Sequence, residues 1–370
     1  MEPETRTETN FAEVALNLGL DKTFLYSIPE ELQGEIRIGQ RVGVPFGKSN
    51  RAMVGYVADL CSECRLTKVK AVREIIDPQT VISDELMELA SWMSRYYVAP
   101  LGVVLDAILP AAVKRNVGFK SVRLVVRGDA DESQAGRILS KQRRVLDVLD
   151  SLDSHVTPRE LARQAGCTVA VIKALEKRGL VRIEKVKTEE FARDLYLPVE
   201  EFVPVHLTAE QQLALQLIKQ KIASDRFAAV LVHGVTGSGK TELYLRAIAE
   251  VVDAGRQAIV LVPEIALTPQ TIRRFRQRFT EVAVLHSHLS DIERHRQWRD
   301  IAAGRAQVVI GARSAVFAPC PDLGLIVIDD EHENSFKQDT SPRYHGRDVA
   351  VMRAHLLGIP ILLGSATPSL

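Results

Sequence analysis

Cysteine is scarce in this 370-residue chain. There are four: Cys61, Cys64, Cys167 and Cys320. So few thiols exclude a disulfide scaffold. Cys61-Ser62-Glu63-Cys64 is at best half of a zinc site, and no second pair or histidine cluster accompanies it. Free thiols in a reducing cytoplasm are expected. Net charge is almost absent as well, at +1. Bulk charge therefore argues neither for nor against nucleic acid, and any binding must come from local patches. There is no apolar run long enough to span a membrane and no signal-peptide pattern at the start, so no membrane partner and a cytoplasmic location are expected. Internal repeats and low-complexity tracts are missing too. What remains is 46% hydrophobic and 26% charged, which describes an ordinary soluble protein of two or three domains. Met1 to Asn10 is polar and expected to fray.

The richest stretch is His233-Gly234-Val235-Thr236-Gly237-Ser238-Gly239-Lys240-Thr241, which fits G-x-x-x-x-G-K-[ST]. Phe227–Val232 before it reads as a buried strand. Thr241–Val252 after it has helical apolar spacing, and Gly255 ends the run like a C-cap. In that context Gly234, Thr236, Gly237, Ser238 and Gly239 would wrap backbone N–H groups around phosphate at the positive end of a helix. Lys240 would neutralise the β- and γ-phosphates, and the Thr241 hydroxyl would meet Mg²⁺. A glycine-rich turn without a ligand is the plain alternative.

From the front, Phe11–Leu16, Thr23–Ile28, Arg41–Pro45 and Ala52–Leu60 are short and β-rich, with Phe46–Asn50 as a loop. A helix follows over Ser83–Tyr97, with Ser83 as N-cap. This predicts a small β-barrel with appended helices, a shape that serves nucleic-acid binding or a purely structural role equally well. Gly128–Gln134 reads as a linker. Lys141–Leu149, a helix opened by Thr157-Pro158-Arg159-Glu160, and Val169–Lys177 are three helices, with Val181–Ile183 as a following strand. That is a helix-turn-helix with a wing, suited to DNA through Lys173, Lys177 and Arg178 or to protein packing. A second linker runs from about 185 to 205.

From Leu207 on, strands and helices alternate as a parallel sheet requires. Strands are expected at Ala258–Val262, Val282–Leu285, Val308–Gly311, Leu325–Ile328 and Ile361–Leu363, and Ser290–Glu293 opens a helix. The chemical residues fall at strand C-termini, the ligand edge of such sheets. Asp329 and Asp330 end one strand, where a carboxylate holds Mg²⁺ through water and a neighbour orients the attacking water, or where two acids merely solvate a turn. Arg313 ends another and suits a DNA phosphate or a satisfied surface position. Gln211, just upstream of the phosphate loop, has the donor and acceptor to read an adenine edge, although glutamine is also common at helix starts.

Together Leu207–Gln211, Gly234–Thr241, Val262–Gln270, Gly311–Ser314, Asp329–His332 and Gly364–Pro368 resemble, in order, the Q motif and motifs I, Ia, Ib, II and III of superfamily 2 helicases. More narrowly, Val235–Glu242, Pro263–Gln270, Ile310–Ala315 and Ser335–Gln338 through Arg343–Asp348 resemble the PriA family of replication-restart helicases, primosomal protein N′. The resemblance covers almost the whole chain. It implies a multidomain α/β fold: a 3′-end DNA-binding domain over 1–112, a winged helix over 113–200, and one P-loop, RecA-like helicase lobe over 201–370. It implies ATP and Mg²⁺, with Gln211 on adenine, Lys240 and Thr241 on phosphate and metal, Asp329 on metal, and Asp330 positioning water. Thr23–Tyr26, Val44–Lys48 and Lys70–Val72 resemble the family's 3′-end pocket, which assigns Phe24, Gly47 and Lys70 to DNA. The aromatic-rich loop that senses DNA assigns Lys337, Arg343 and Tyr344 beside Arg313.

The activity implied is ATP-dependent 3′→5′ DNA unwinding at branched or forked DNA with a 3′ end, to start primosome assembly. Single-stranded DNA-binding protein and other primosome proteins are the implied partners. Two substitutions depart from the family pattern. Asp330 stands in place of the catalytic Glu, one methylene shorter, and Leu25 stands where the pocket usually has Asp. The chain also stops at Leu370, just after motif III. The second lobe, its arginine finger and the zinc-binding cysteines of the family lie outside it, so a truncated N-terminal portion with little turnover of its own is expected. A non-catalytic DNA-binding assembly factor is the second reading, and an RNA helicase of the same superfamily is a third.

Overall fold

The computed structural model describes residues 10–64, 66, 68–114, 121–128, 140–150, 156, 158–187, 206–286, 289 and 291–369. They form two compact units. One joins the front segment, to residue 116, with the segment from 199 onward; the other is residues 117–198.

The front segment begins with β1 (Phe11–Leu16), β2 (Thr23–Ser27), β3 (Arg41–Phe46) and β4 (Arg51–Cys61), within a residue or so of the expected bounds. They pair antiparallel in the order β2-β1-β4-β3. Then β5 (Lys70–Ala71) bonds to β2 and β6 (Glu74–Ile75) bonds to β3, so one short stretch pairs with both edges of the sheet. Alternation sets the two faces. Ala12, Val14, Leu16, Val42 and Val57 bury one another, while Ala15 and Tyr56 enter a second, much larger core.

That larger core is reached through α1 (Asp84–Tyr96), α2 (Leu101–Ile108) and α3 (Ala111–Lys114). The Ser83 hydroxyl accepts the Leu86 N–H, as an N-cap should. Leu86, Leu89, Ala90 and Met93 recur at helical spacing and are buried. The helix ends in a tight reversal, with the Ala99 N–H on the Ser94 carbonyl at 3.0 Å. This forces Val98 to φ 49°, at 90% exposure. A β-branched residue in the left-handed region is strained by roughly 1–2 kcal/mol, and glycine is usual there.

The second unit holds β7 (Ser121–Arg127), α4 (Ser140–Asp150), α5 (Pro158–Gln164), α6 (Val169–Lys177) and β8 (Val181–Lys187). The three helices and the last strand match the sequence expectation; β7, antiparallel to β8, was not anticipated. Its core is Val125, Val145, Leu146, Leu161, Ile172 and Leu175. Lys173 is exposed. The cap at Thr157 and most of both expected linkers, residues 129–134 and 188–205, lie outside the described residues, while 185–187 belong to β8 and not to a linker.

The remaining elements are α7 (Ala209–Ala223), β9 (Ala228–His233), α8 (Lys240–Asp253), β10 (Gln257–Leu261), α9 (Pro269–Arg276), β11 (Val282–Leu285), α10 (Asp291–Ala302), β12 (Val308–Gly311), β13 (Leu323–Ile328), α11 (Gly346–Leu357) and β14 (Pro360–Ser365). Six strands run parallel in the order β11-β12-β10-β13-β14-β9. The inner strands are buried on both faces: Ala258, Val260, Ile310 and Val327 face one core, Ile259, Leu261, Ile326 and Ile328 the other. Ser290, the expected cap of α10, lies outside the described residues. No helix among the described residues is long and apolar enough to cross a membrane.

The second of these cores is the one α1 and α2 enter. Leu86, Met93 and Leu105 pack in the same cluster as Phe317, Phe336 and Val349. A partly buried ion pair borders it. Arg353, fully buried on α11, donates to Glu85 of α1 at 2.5 Å and to the Val316 carbonyl at 2.6 Å. Removing one partner of a buried pair leaves an uncompensated charge. Glu85→Ala should therefore lower the unfolding free energy by about 3 kcal/mol; urea unfolding measures it, and a loss within ±0.5 kcal/mol, about the size of a surface substitution, would mean the pair is not structural.

Candidate functional site

The phosphate loop lies between β9 and α8, as its sequence context predicted, although β9 is an edge strand with Leu231 50% exposed and not the buried strand expected. Gly237 and Gly239 take φ of 82° and 85°, which lets the chain turn back before the helix begins. The loop is tied to the neighbouring strand by the Gly234 N–H on the Ser365 carbonyl at 3.1 Å. Lys240 folds over it, its Nζ donating to the Gly234 carbonyl at 2.6 Å and the Val235 carbonyl at 3.2 Å. Thr236, Ser238 and Thr241 lie on the loop or at the helix start beside them.

Gln211, expected on adenine, makes two hydrogen bonds within the chain. Its Oε1 accepts the Thr208 N–H at 2.9 Å, closing a capping box at the start of α7. Its Nε2 donates to the Ser238 carbonyl at 2.8 Å. Both ends of the amide are engaged, so Gln211 fastens α7 to the phosphate loop.

β13 delivers the acids. Asp329 is partly buried, with its backbone N–H on Leu261. Burial and then the neighbouring Asp330 raise its pKa; Lys240 and Tyr244 act the other way. Asp330 turns off the strand at φ 49°, a conformation aspartate tolerates. Glu331 points elsewhere. It is buried, accepting from Arg347 at 2.9 Å and from the Ser369 backbone and hydroxyl at 2.8 Å each. Burial alone would raise its pKa, but the hydrogen bonds from Ser369 and Arg347 prevail and hold it below the ordinary carboxylate range. Glu331 is thus a clamp between α11 and the end of β14. His332 Nδ1 meets Ser365 Oγ at 2.8 Å. Because β14 lies between β13 and β9, the Gly364–Pro368 stretch touches both the acids and the phosphate loop.

One participant was missed. Tyr244 of α8 is 1% exposed, and its hydroxyl lacks a hydrogen-bond partner of good geometry. Burial, then Asp329, push its pKa far up. A Cβ on Gly364 would stand 1.6 Å from that hydroxyl and 3.2 Å from Asp329 Oδ1, so the phenol and the carboxylate flank one point. The available signal was a polar group on the buried stripe of a helix, one turn after Lys240.

Arg313 meets the loop that follows the acids. It donates to the Ser335 carbonyl at 3.4 Å and to that of Lys337, and its guanidinium lies 5.8 Å from the Tyr344 ring. Tyr344, expected at DNA, is 3% exposed and packs edge-on against Phe317 at 5.3 Å. A ring so enclosed cannot stack on a base; it braces Arg313. Lys337 and Arg343 are exposed, and the loop closes through the Gln338 N–H on Tyr344 at 2.8 Å.

At the front end the three pocket residues converge. Lys70 Nζ donates to the Gly47 carbonyl at 2.5 Å. Gly47 has φ 67° and open space where a Cβ would be. Phe24 packs edge-on to Phe46, the residue before Gly47, at 5.1 Å, with the Lys22 ammonium 5.1 Å from its ring. Leu25 lies opposite Glu13 in the register.

These two clusters match known families separately. Residues 13–110 match the 3'DNA-binding domain (3'BD) of PriA, and residues 208–369 match the DEAD/DEAH box helicase. Across both, the chain is 35% identical to the replication restart protein PriA of Bacillus subtilis (strain 168), over 98% of this chain and 54% of that protein. It is 38% identical to PriA of Chlamydia pneumoniae over 99% of this chain and 50% of that protein. For PriA of Haemophilus influenzae the figures are 36%, 96% and 49%. The chain belongs to the PriA family of replication restart proteins. It spans about half the length of the PriA relatives it matches. Both PriA portions lie within one compact unit of the fold.

The crowding around Gly364 is testable. Gly364→Ala should destabilise the chain by roughly 2 kcal/mol through overpacking. Adding Tyr244→Phe should restore part of that loss. Thermal unfolding of the single and double variants reads it; additive losses would mean the two residues do not meet.

Proposed function

We propose that this chain carries the DNA-end-reading and ATP-binding parts of an ATP-dependent 3′→5′ DNA helicase that recognises branched DNA with a free 3′ end and starts primosome assembly in replication restart. The observation that carries this reading is the meeting of phosphate loop, acidic strand end and Gly364–Pro368 at one sheet edge, in a chain that also matches a 3'DNA-binding domain. In this reading residues 1–112 are a small barrel-like DNA-end domain, 113–200 a winged helix, and 201–370 a RecA-like lobe. Single-stranded DNA-binding protein and other primosome proteins are the partners it implies.

The residues account for ATP as follows. N–H groups of the loop at the start of α8 bind the phosphates. Lys240 exchanges the Gly234 and Val235 carbonyls for the β- and γ-phosphates. Gln211, fixed between Thr208 and Ser238, couples the start of α7 to the loop's shape. The donor set fits Mg²⁺: a hydroxyl at Thr241 and, at Asp329, a carboxylate whose burial beside Asp330 leaves it favouring a cation or a proton. When bound, Mg²⁺ neutralises charge on the β- and γ-phosphates. Asp330, turned off the strand, orients the attacking water. Glu331 holds α11 and the end of β14 against the acids and takes no part in proton transfer.

At the front end Phe24 offers an aromatic face, Gly47 a close backbone approach and Lys70 a cation for the terminal sugar-phosphate. On the loop, Arg313 orders the backbone that presents Lys337 and Arg343.

Lys240→Ala should abolish nucleotide binding, measured with a fluorescent ATP analogue; unchanged affinity would remove the phosphate loop from the account. Phe24→Ala should weaken binding to a fork with a free 3′-OH about tenfold, in line with loss of one base stack, and change a 3′-blocked fork little. Equal loss on both forks, read by fluorescence anisotropy, would show that Phe24 is not an end reader.

A further inference from the structure

The C-terminal turn of α1 carries aromatics that the end pocket and the ATP site do not use. Trp92 and Tyr96 stack on one another, with centroids 4.7 Å apart and planes at 19°. Tyr97 packs edge-on to both, at 5.9 and 4.9 Å. Tyr96 is 60% exposed, and Val98 beside it is 90% exposed and held in the left-handed region. The strain follows from the reversal that ends α1, but the bare aromatic face beside it is a cost that neither packing nor solubility explains.

The same turn is bonded to the loop after the acids. The Tyr97 hydroxyl accepts the His345 N–H at 3.2 Å. His345 in turn bridges to Lys337 on the facing arm of the loop. An aromatic stack therefore lies beside a loop that exposes Lys337 and Arg343.

We propose that Trp92 and Tyr96 form a stacking platform for single-stranded DNA, continuous with the cations of the 337–344 loop. This rests on reading that loop as DNA-facing. Single-stranded DNA is the occupant because the surface pairs an open π-face with neighbouring cations, the combination that holds unpaired bases and their phosphates. A duplex keeps its base faces stacked inside and offers nothing to Tyr96. The core of a protein interface is depleted of lysine, and here exposed Arg95 precedes Tyr96 while exposed Lys337 and Arg343 lie on the loop that Tyr97 bonds. A base on Tyr96 would press on the Trp92 stack and on Tyr97, and so on the loop that runs back to Asp330.

The sequence supplies a direct probe, because it holds two tryptophans and Trp298 is 5% exposed. In a Trp298→Phe chain the emission comes from Trp92. Titration with an oligothymidylate of about ten nucleotides should quench it in step with binding followed by anisotropy. Tyr96→Ala in the otherwise unchanged chain, at an exposed position, should weaken that binding about tenfold while leaving binding to a 3′-OH fork with a fully duplex arm within twofold, about the size of a near-neutral surface change. Binding of the oligonucleotide without quenching, or with full affinity in Tyr96→Ala, overturns the platform and leaves the helicase reading standing. Loss of both DNA types in the unchanged chain overturns both.

Discussion

The structure depends on one shared apolar core. Helices α1 and α2 belong by sequence to the front segment, yet Leu86, Met93 and Leu105 are packed in the same interior as Phe317, Phe336 and Val349 of the lobe. Arg353 stands inside this interior and pairs with Glu85, whose side chain keeps 19% exposure. Burying charge is expensive, and such a pair persists where its geometry fixes one arrangement over others. Here it fixes α1 against α11. With α1 fixed, Tyr97 reaches His345 and the loop behind the acids takes its place.

Seen from that core, the proposed ATP site is a junction of three strand ends. β14 sits between β9 and β13, so a shift at Gly364–Ser369 is felt by the phosphate loop through Gly234 and by the acids through His332 and Glu331. Packed interiors move between discrete arrangements. The contacts that link the residues proposed for DNA to those proposed for phosphate are short: Arg313 to the 335–337 backbone, Tyr97 to His345, Arg347 to Glu331.

Much of this was legible in the sequence. β1 to β4 of the front sheet and the strands of the parallel sheet fall within a residue or two of where alternation and apolar runs put them, whereas the two-residue β5 and β6 are too short to leave a period. The phosphate loop and the acidic strand end declared themselves by spacing. Other features were silent for physical reasons. β7 has an ordinary strand composition and depends on its partner β8. Helix α11 follows a loop rich in polar residues. The shared core leaves no mark, since α1 looks the same whichever partner covers its apolar stripe. The engaged amide of Gln211 and the enclosure of Tyr344 depend on neighbours distant in sequence, and a motif names a residue type without saying which way it faces.

The central claim is that the front segment and the ATP-binding lobe fold as one body through α1. The most direct measurement is urea unfolding of two single-tryptophan chains, one retaining Trp92 on α1 and the other Trp298 on α10. One shared core predicts coincident transitions from the two probes. Separate midpoints, with α1 melting away from a lobe that stays folded, would contradict it.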